Sequence, residues 1–456
     1  MKRFKLCAAA LSLFLICTGI TGCKDSPKEP PSISVGDTVF SGSGTQSAAS
    51  SQGSISSSSS SSVSSTVSPI TAENSSSVIS AAPPESSVPI ELPPESDPEE
   101  PEEPEDPDEP ELPSDPIQRK IAEMTLRERV YQMFFVTPEQ LGGSYPVTTA
   151  MDVTSRPVGG VLCMGANLKS VSQTKSMLSG TQSNAMKNGI GVFLAVDEEG
   201  GKVARCAAYL GTTKLDPMEI YGANNDYNEA VSVGKTLGRD ISQFGFNVDF
   251  APVADVYIDP ENELGDRIFS DDPDVVANMV SGVVAGLRST GVCATLKHFP
   301  GLGAENGNSH TASKIVIDRT LSELRNTEFI PFESGIDAGA EFVMVGHQTV
   351  TAFGDDLPAD LSYAAVTTYL RGELGFTGIA ITDAQNMGTI TNVYYPGTAA
   401  KMAVKAGIDM ILAPDDLDSA ANAVINAVMS GEISEERINQ SVTRILTLKQ
   451  EMGLLK

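Results

Sequence analysis

Short apolar runs, rich in β-branched and aromatic residues, recur along the chain from residue 117 onward. Eight of them predict buried strands: YQMFFVT at 131–137, VGGVLCMG at 158–165, IGVFLAVD at 190–197, FNVDFAPV at 246–253, VCATLKHF at 292–299, EFVMVGH at 341–347, GIAITDA at 378–384 and DMILAP at 409–414. Helical patterns separate them, and the last pattern places Ile438, Val442 and Ile445 on one face of a closing helix. This alternation predicts an α/β fold with a parallel sheet. The number of strands favours a closed TIM-type (β/α)8 barrel over an open doubly wound sheet.

The first 22 residues have the composition of a secretory signal. A basic start, Met1 to Lys5, precedes an apolar run that is shorter than the roughly 20 residues needed to span a bilayer. The segment ends in Thr21-Gly22-Cys23, which is similar to a bacterial lipobox. We therefore expect lipid on Cys23, which would anchor the protein to the extracellular face of the cytoplasmic membrane. Ordinary signal cleavage beside an incidental cysteine is the alternative.

Residues 23–116 divide into a Ser-rich part, containing SSQGSISSSSSSSVSS, and a Pro- and Glu-rich part, ELPPESDPEEPEEPEDPDEPELPSDP. Neither part has the apolar periodicity that a packed core requires, so we predict a disordered tether. The serine-rich part should be flexible and the proline-rich part more extended. A globular pattern runs from residue 117 to residue 456, which we interpret as one barrel domain, expected to be monomeric.

The charge of the chain is strongly negative, with 59 acidic and 31 basic residues and a formal net charge of −28. Because phosphate binding needs a basic surface, nucleic acid is not an expected partner. Cysteines are few once the leader and Cys23 are set aside. The remaining three, Cys163, Cys206 and Cys293, are spaced too widely for a disulfide framework or a CxxC zinc site, so we expect them in the core.

Charged and imidazole side chains stand at the C-terminal ends of the predicted strands. They are Asp197 with its neighbours Glu198 and Glu199, then Asp255, Lys297, His298, His347 and Asp383. In a parallel barrel these strand ends converge on one face, where the active sites of such enzymes lie. The sequence therefore predicts a single polar pocket built from residues that are far apart in the chain.

The residue types in this pocket limit its chemistry. The sequence has no HExxH motif and no GxGxxG after its first strand, so we expect no metal and no other cofactor. It also has no GxSxG motif, so acyl transfer through a serine lacks support. Carboxylates and imidazoles remain, and these can act as nucleophile, acid and base. Glycoside hydrolysis needs such a set, with a carboxylate on one side of the anomeric carbon and a proton donor on the other.

One loop carries a specific resemblance. The stretch KHFPGLGAENGNSH, residues 297–310, is similar to the KHFPGxG…DSH loop of family 3 glycoside hydrolases, in their β-N-acetylglucosaminidase branch. AVDEEGGKVARC, residues 195–206, resembles the VDxEGGxVxR segment of the same branch, and ITDAQNMG, residues 381–388, also matches. The resemblance covers nearly all of residues 117–456. It implies a retaining β-N-acetylhexosaminidase that acts on cell-wall muropeptides or chitin-type oligosaccharides.

The resemblance also implies residue roles. Asp383 would be the nucleophile that forms a covalent glycosyl-enzyme, and His310 the general acid and base, since a histidine with an unperturbed pKa of about 6.5 can serve both steps. The residues that resemble the sugar-binding set are Asp197, Arg205, Arg267, Lys297 and His298. His347 is expected as a pocket wall or a support. Gly301, Gly303 and Gly307 would allow positive φ in the loop that carries His310.

The loop departs from the family pattern at one position. Asn308 stands where the family has an aspartate that is hydrogen-bonded to the catalytic histidine. An asparagine oxygen can accept from the imidazole Nδ1–H and fix the tautomer, but it cannot stabilise an imidazolium by charge, so the basicity of His310 should be lower than in the aspartate form. Glu305 is an alternative charged partner, or an alternative acid.

Three hypotheses follow. The first is an active retaining β-N-acetylhexosaminidase. The second is a phosphorolytic variant, because a loop without the extra negative charge would repel phosphate less. The third is a catalytically silent lipoprotein that keeps the pocket for sugar binding. Retention of both Asp383 and His310 favours an enzyme, because a pure binder has no use for a nucleophile.

Overall fold

The computed structural model describes residues 113–305, 307–308 and 310–456. The predicted signal segment, Cys23 and nearly all of the tether lie outside the described residues. Within the described ranges, no helix is both long enough and apolar enough to cross a membrane.

All eight predicted strands form, and each is shorter than the apolar run that predicted it. In chain order they are Phe134–Val136, Gly160–Leu162, Phe193–Val196, Val248–Asp249, Thr295–Phe299, Phe342–Val345, Ile379–Thr382 and Ile411–Leu412. The first strand pairs with the eighth and the second, and the third and fourth follow in the same sheet. The fifth, sixth and seventh form another sheet, and all of these pairings are parallel.

Isolated parallel bridges connect the two sheets at both of their edges. Val248 bridges Cys293 between the fourth and fifth strands, and Ile381 bridges Met410 between the seventh and eighth. Consecutive strands are therefore neighbours throughout, without the reversal of strand order that characterises a doubly wound sheet. The predicted parallel α/β fold is confirmed. Closure into a (β/α)8 barrel stays a prediction, which these bridges favour.

Helices occupy most of the connections between strands. The α-helices are Pro116–Glu123, Leu126–Gln132, Val171–Ala185, Arg205–Leu210, Met218–Asn224, Tyr227–Ser242, Pro273–Arg288, Leu321–Asn326, Phe329–Asp337, Gly388–Thr391, Pro396–Ala406, Leu417–Met429 and Glu435–Glu451. Short 3-10 turns form at Pro138–Leu141, Gly165–Asn167, Met186–Asn188, Gly265–Arg267, Thr351–Phe353 and Ala359–Leu361. Two antiparallel hairpin strands, Glu198–Gly200 and Val203–Ala204, follow the third strand, and Val316–Ile317 pairs with Thr349–Val350.

Local sequence explains several of these elements. The closing helix Glu435–Glu451 begins at the N-cap Ser434 and buries Ile438, Val442 and Ile445 completely, as its pattern predicted. The segment Ala364–Glu373 is a π-helix, in which the Leu374 N–H bonds the carbonyl five residues back.

The core lies between the strands and the helices, and the strand side chains fill the interior. The Phe135 and Phe250 ring centroids are 5.3 Å apart, as are those of Phe193 and Phe342. Cys163, Cys206 and Cys293 are free and buried, as predicted. These aromatic pairs contact across the interior, which holds the strand ends at fixed positions.

A buried carboxylate lies at the opposite end of the sheet from the predicted site, just before the eighth strand. Asp409 is fully buried, and its Oδ1 accepts from Ser441 Oγ at 2.6 Å and from Arg444 Nη1 at 3.1 Å. Its Oδ2 accepts from the Ala380 N–H at 3.1 Å and from Arg371 Nη2. This cluster attaches the closing helix to the seventh and eighth strands.

Candidate active site

The C-terminal ends of the strands surround a polar cavity of about 410 Å³. Seven of the eight residues predicted for catalysis or sugar binding line it: Asp197, Arg205, Arg267, Lys297, His298, His310 and Asp383. The eighth, Asn308, is described but is not a lining residue. Strand ends that are almost 190 positions apart in the chain thus contribute to one pocket, as the pattern of polar residues predicted.

Asp383 follows the seventh strand, and its backbone N–H bonds the Val345 carbonyl of the sixth. One carboxylate oxygen accepts from the Ala384 N–H at 2.7 Å. Burial alone would raise the pKa of Asp383, but the positive charge of His347, the Ala384 N–H and the charge of Lys297 outweigh burial and lower it. The carboxylate is therefore held in its ionised form, which is the form that a nucleophile needs.

His347 lies behind Asp383 and outside the lining of the cavity. Its ring is completely buried, with Nε2 donating to the Ala384 carbonyl at 3.0 Å and Nδ1 at 3.1 Å from Asp360 Oδ1. Burial lowers the pKa of His347, but the Asp360 carboxylate and the nearby Asp383 outweigh it and raise the pKa to about 9. His347 is thus a buried cation at neutral pH that supports the charge of Asp383, which agrees with the expected supporting position.

Glu199 binds two of the cavity's cations; the sequence placed it among the pocket residues but assigned it no role. Lys297 Nζ lies 2.5 Å from Glu199 Oε1, and Arg267 binds both Glu199 oxygens, through Nε at 2.7 Å and Nη2 at 2.9 Å. Burial raises the pKa of Glu199, but the charges of Lys297 and Arg267 outweigh it and hold the pKa at about 2. Lys297 Nζ also donates to Asp197 Oδ1 at 3.1 Å.

A sequence signal for Glu199 was present in the stretch Asp197-Glu198-Glu199. Side chains alternate along an extended strand, so the first and third acids point to one side and the second to the other. Glu198 does point away from the cavity, and its carboxylate accepts from the Cys206 N–H at 2.6 Å and the Ala207 N–H at 2.9 Å. Burial raises the pKa of Glu198 to about 7, because its effect outweighs that of these two N–H groups, which lower the pKa.

His298 is oriented by a carboxylate behind it. Asp255 Oδ2 lies 2.8 Å from His298 Nδ1 and also accepts from the His298 N–H at 3.1 Å. Because a carboxylate only accepts, Nδ1 carries the proton of this bond, and Nε2 is the nitrogen available to the cavity. The other oxygen of Asp255 accepts from the Leu302 N–H at 2.6 Å, which fixes the start of the loop that leads to His310.

His310 is exposed at the edge of the cavity, on a loop that contacts the segment after Asp383. Its carbonyl accepts from the Gly388 N–H at 3.2 Å. Gly301 has a φ of +122°, as the loop glycines were expected to have. Gly303 instead lacks a side chain for reasons of space, because a Cβ there would lie 1.7 Å from the Val256 carbonyl oxygen.

Asn308 differs from the expected arrangement. Its Oδ1 accepts from the backbone N–H of His310 at 2.9 Å, not from the imidazole. An asparagine oxygen reaches the N–H two residues further on with little strain, which forms an Asx turn. Asn308 therefore shapes the loop in this structure. Glu305 does not line the cavity either, so its substitution for the family aspartate stays a prediction.

Arg205 lines the cavity, and one nitrogen of its side chain is unpaired within the described ranges. It begins the helix Arg205–Leu210, and among the described residues its Nε is buried without a hydrogen-bond partner. A buried unpaired donor beside a cavity is typical of a group that bonds a ligand. The described residues contain no group of three or more histidines, cysteines and acids placed to hold a metal ion.

Known proteins match this arrangement in sequence and in structure. A family model described as the N-terminal domain of glycosyl hydrolase family 3 matches residues 125–448. A protein named beta-hexosaminidase A from Pseudoalteromonas piscicida is 30% identical over 322 residues, which are 65% of this chain and 54% of that protein. A beta-hexosaminidase from Nitrosomonas eutropha is 32% identical over 291 residues, 61% of this chain and 80% of that one.

A solved structure agrees with the sequence comparisons. It is described as a glycoside hydrolase family 3 beta-N-acetylglucosaminidase from a Paenibacillus species, and it is 32% identical with a TM-score of 0.68. The match covers 73% of this chain and 63% of that protein. The chain thus spans less than two thirds of the length of this protein and of the Pseudoalteromonas relative.

Proposed function

This chain belongs to glycosyl hydrolase family 3, and from that premise we propose that it is a retaining β-N-acetylhexosaminidase. It removes terminal β-linked N-acetylglucosamine from cell-wall or chitin-type oligosaccharides. The observation that carries the proposal is the position of Asp383, an ionised carboxylate facing the cavity that His310 also lines. The names of the similar proteins, beta-hexosaminidase and beta-N-acetylglucosaminidase, support the choice of an amino sugar.

The mechanism has two displacements at the anomeric carbon. Asp383 attacks this carbon while the bond to the leaving oxygen breaks, and His310 gives that oxygen its proton. The product of this step is a glycosyl ester on Asp383. Water then attacks the same carbon, loses a proton to His310 and releases Asp383, so the sugar leaves with its original configuration.

The supporting charges favour the second displacement, in which the Asp383 carboxylate is released. Asp383 loses its negative charge as the ester forms, so groups that stabilise the carboxylate also make it a better leaving group in the second step. The protonated His347 behind Ala384 supplies one such charge without entering the cavity. Its burial keeps this charge at a fixed distance in a medium of low polarity, where it acts more strongly than in water.

The remaining cavity residues suit the hydroxyl groups of a sugar. Asp197 offers a carboxylate acceptor, Lys297 and Arg205 offer donors, and His298 offers Nε2. Bonds to such groups discriminate strongly against a substrate that lacks the matching hydroxyl, because the buried protein group is then left unpaired. We infer that these residues bind the terminal sugar.

The position of the enzyme in the cell follows from the N-terminal sequence. The leader, Cys23 and the acidic tether suggest a lipoprotein whose domain, near residues 117–456, reaches wall oligosaccharides from the membrane surface. Cys23→Ser tests this. The variant should leave the membrane fraction and enter the medium, while its turnover matches that of the unmodified protein. A variant that stays in the membrane fraction would argue against the lipid anchor.

Turnover is tested with p-nitrophenyl N-acetyl-β-glucosaminide and the matching β-glucoside, each with and without phosphate, with Asp383→Asn as the control. We expect turnover of the N-acetyl substrate that this variant abolishes and that needs no phosphate. Strict dependence on phosphate would identify a phosphorylase. Binding of N-acetylglucosamine without turnover of either substrate would identify a silent sugar-binding protein.

A further inference from the structure

An apolar shelf, formed by Met164, Gly165 and Tyr209, adjoins the cavity. Met164 follows the second strand, lines the cavity and is 38% exposed, whereas Tyr209 is 54% exposed. Tyr209 lies four residues after Arg205 on the helix Arg205–Leu210, and residues four apart share one face of a helix. The face that places Arg205 at the cavity wall therefore places Tyr209 one turn further along, beside Met164.

The Tyr209 ring packs against the backbone of Gly165. A Cβ at Gly165 would lie 2.2 Å from Tyr209 Cε2, so the ring rests directly on the backbone of this glycine. The helix that carries Tyr209 is held in turn by the buried Glu198, which accepts from two N–H groups of its first turn. One side of the ring is thus packed on protein and the ring remains half-exposed, on a rigid support.

We propose that Met164 and Tyr209 bind the leaving sugar, the pyranose ring on the far side of the bond that Asp383 attacks. The inference rests on the proposed function, since only a glycosidase releases a leaving group here. A pyranose has a face of C–H groups that packs on an aromatic ring, and a thioether adapts to the shape beside it. The shelf therefore selects substrates whose leaving group is a sugar over those with a small leaving group.

The position of the shelf supports this occupant. Asp383 and the proposed sugar-binding residues line the cavity, so a terminal sugar that binds there leaves the rest of the substrate outside the cavity opening. Exposed apolar side chains at the rim of a polar pocket commonly mark such a contact. Met164 belongs both to the cavity lining and to the shelf, so the binding surface is continuous from one sugar to the next.

The experiment compares two substrates that share the terminal sugar. N,N′-diacetylchitobiose has a sugar as leaving group, and N-acetyl-β-glucosaminyl fluoride has only a fluoride ion. We expect Tyr209→Ala to lower kcat/KM about tenfold for the disaccharide and less than about twofold for the fluoride. Tyr209→Phe should keep both rates. Tyr227→Ala, which removes another exposed tyrosine from a helix outside the cavity lining, is the matched control and should change neither.

Gly165→Ala provides a second test that leaves Tyr209 in the protein. The added methyl group displaces the Tyr209 ring from the backbone of residue 165. The loss in kcat/KM should therefore again be confined to the disaccharide. Equal losses on both substrates, or no loss on the disaccharide, would overturn the shelf proposal. If the unmodified protein turns over neither substrate, the proposed function has failed. Calorimetry then tests the shelf by measuring the affinity of the protein for the disaccharide. An affinity that is unchanged in Tyr209→Ala would count against the shelf.

Discussion

Two buried carboxylates, each bound to two cations, lie at opposite ends of the strands. At the cavity, Glu199 binds Lys297 and Arg267 through contacts of 2.5 to 2.9 Å. Lys297 also bonds Asp197, and all four of these side chains line the cavity. Lys297 and Arg267 both line the cavity, and each keeps N–H donors that Glu199 does not use.

The other carboxylate, Asp409, has both of its oxygens occupied by donors from the protein. Its two oxygens accept four hydrogen bonds, from Arg371, Arg444, Ser441 and the Ala380 N–H. Arg371 uses further donors on the carbonyls of residues 376 and 378. The comparison indicates that a cluster built for stability satisfies its groups within the protein, whereas a cluster built for binding leaves donors for the ligand.

Removing the charge of Asp409 should have the largest effect, and on stability alone. Asp409→Asn leaves Arg371 and Arg444 without a counter-ion for their bonds, and breaking a buried ion pair costs about 3–5 kcal/mol. Urea denaturation should show this loss in the free energy of unfolding. Turnover per folded molecule should stay within about twofold, because the cavity is at the other end of the strands.

The result would be contradicted by a stable Asp409→Asn protein with slow turnover. That outcome would mean that the two ends of the sheet are coupled. Ser441→Ala provides a milder control, since it removes one neutral donor to Asp409 and should cost about 1 kcal/mol.

Glu199→Gln should show the reverse pattern. Its kcat/KM should fall about 100-fold, because Lys297 and Arg267 lose the charge that positions them, and misplaced binding groups carry penalties of that size. Stability should fall less than in Asp409→Asn, since Lys297 keeps its bond to Asp197 and cavity water can solvate the freed donors. A stability loss as large as that of Asp409→Asn, without a loss in rate, would make Glu199 a structural residue.

The sequence predicted the parallel fold because eight apolar runs of strand length alternate with amphipathic helices. It also placed Asp383, Lys297 and His298 in one pocket, because strand ends converge wherever the strands are parallel. Their partners were harder to predict. Glu199 follows from the alternation of side chains along Asp197-Glu198-Glu199, which requires knowing that this segment is extended.

Other contacts could not be predicted from local pattern. The ring of His347 and the carboxylate of Asp360 meet through tertiary folding, and no periodicity connects two residues 13 positions apart. For Asn308, the family pattern indicated a bond to the imidazole of His310, but the backbone N–H of that residue is the nearer donor. Such competition between side-chain and backbone donors is decided by loop geometry.

His347 shares features of both carboxylate clusters: it is buried like Asp409, but its charge acts on the cavity residue Asp383. Its raised pKa of about 9, against an ordinary 6.5, means that its contribution to stability is complete below pH 6.5 and is lost as pH rises to about 9. Urea denaturation at pH 6, 7, 8 and 9 should show this loss in the free energy of unfolding. Between pH 6 and pH 9 the unmodified protein should lose about 2–3 kcal/mol more than His347→Gln does. A difference that does not change with pH would show that His347 is neutral when buried.

A negative charge introduced at Asn308 should have the smallest effect on turnover. Asn308 is exposed, and its oxygen already accepts from the His310 N–H, which a carboxylate would accept equally well. Asn308→Asp should therefore change kcat/KM by no more than about threefold, since solvent screens a charge at this position. Asn308→Ala should lower it further, about tenfold, because the turn that holds His310 loses its acceptor. If Asn308→Asp instead raised turnover more than about tenfold, the carboxylate would reach the imidazole of His310, and charge rather than loop shape would limit the rate.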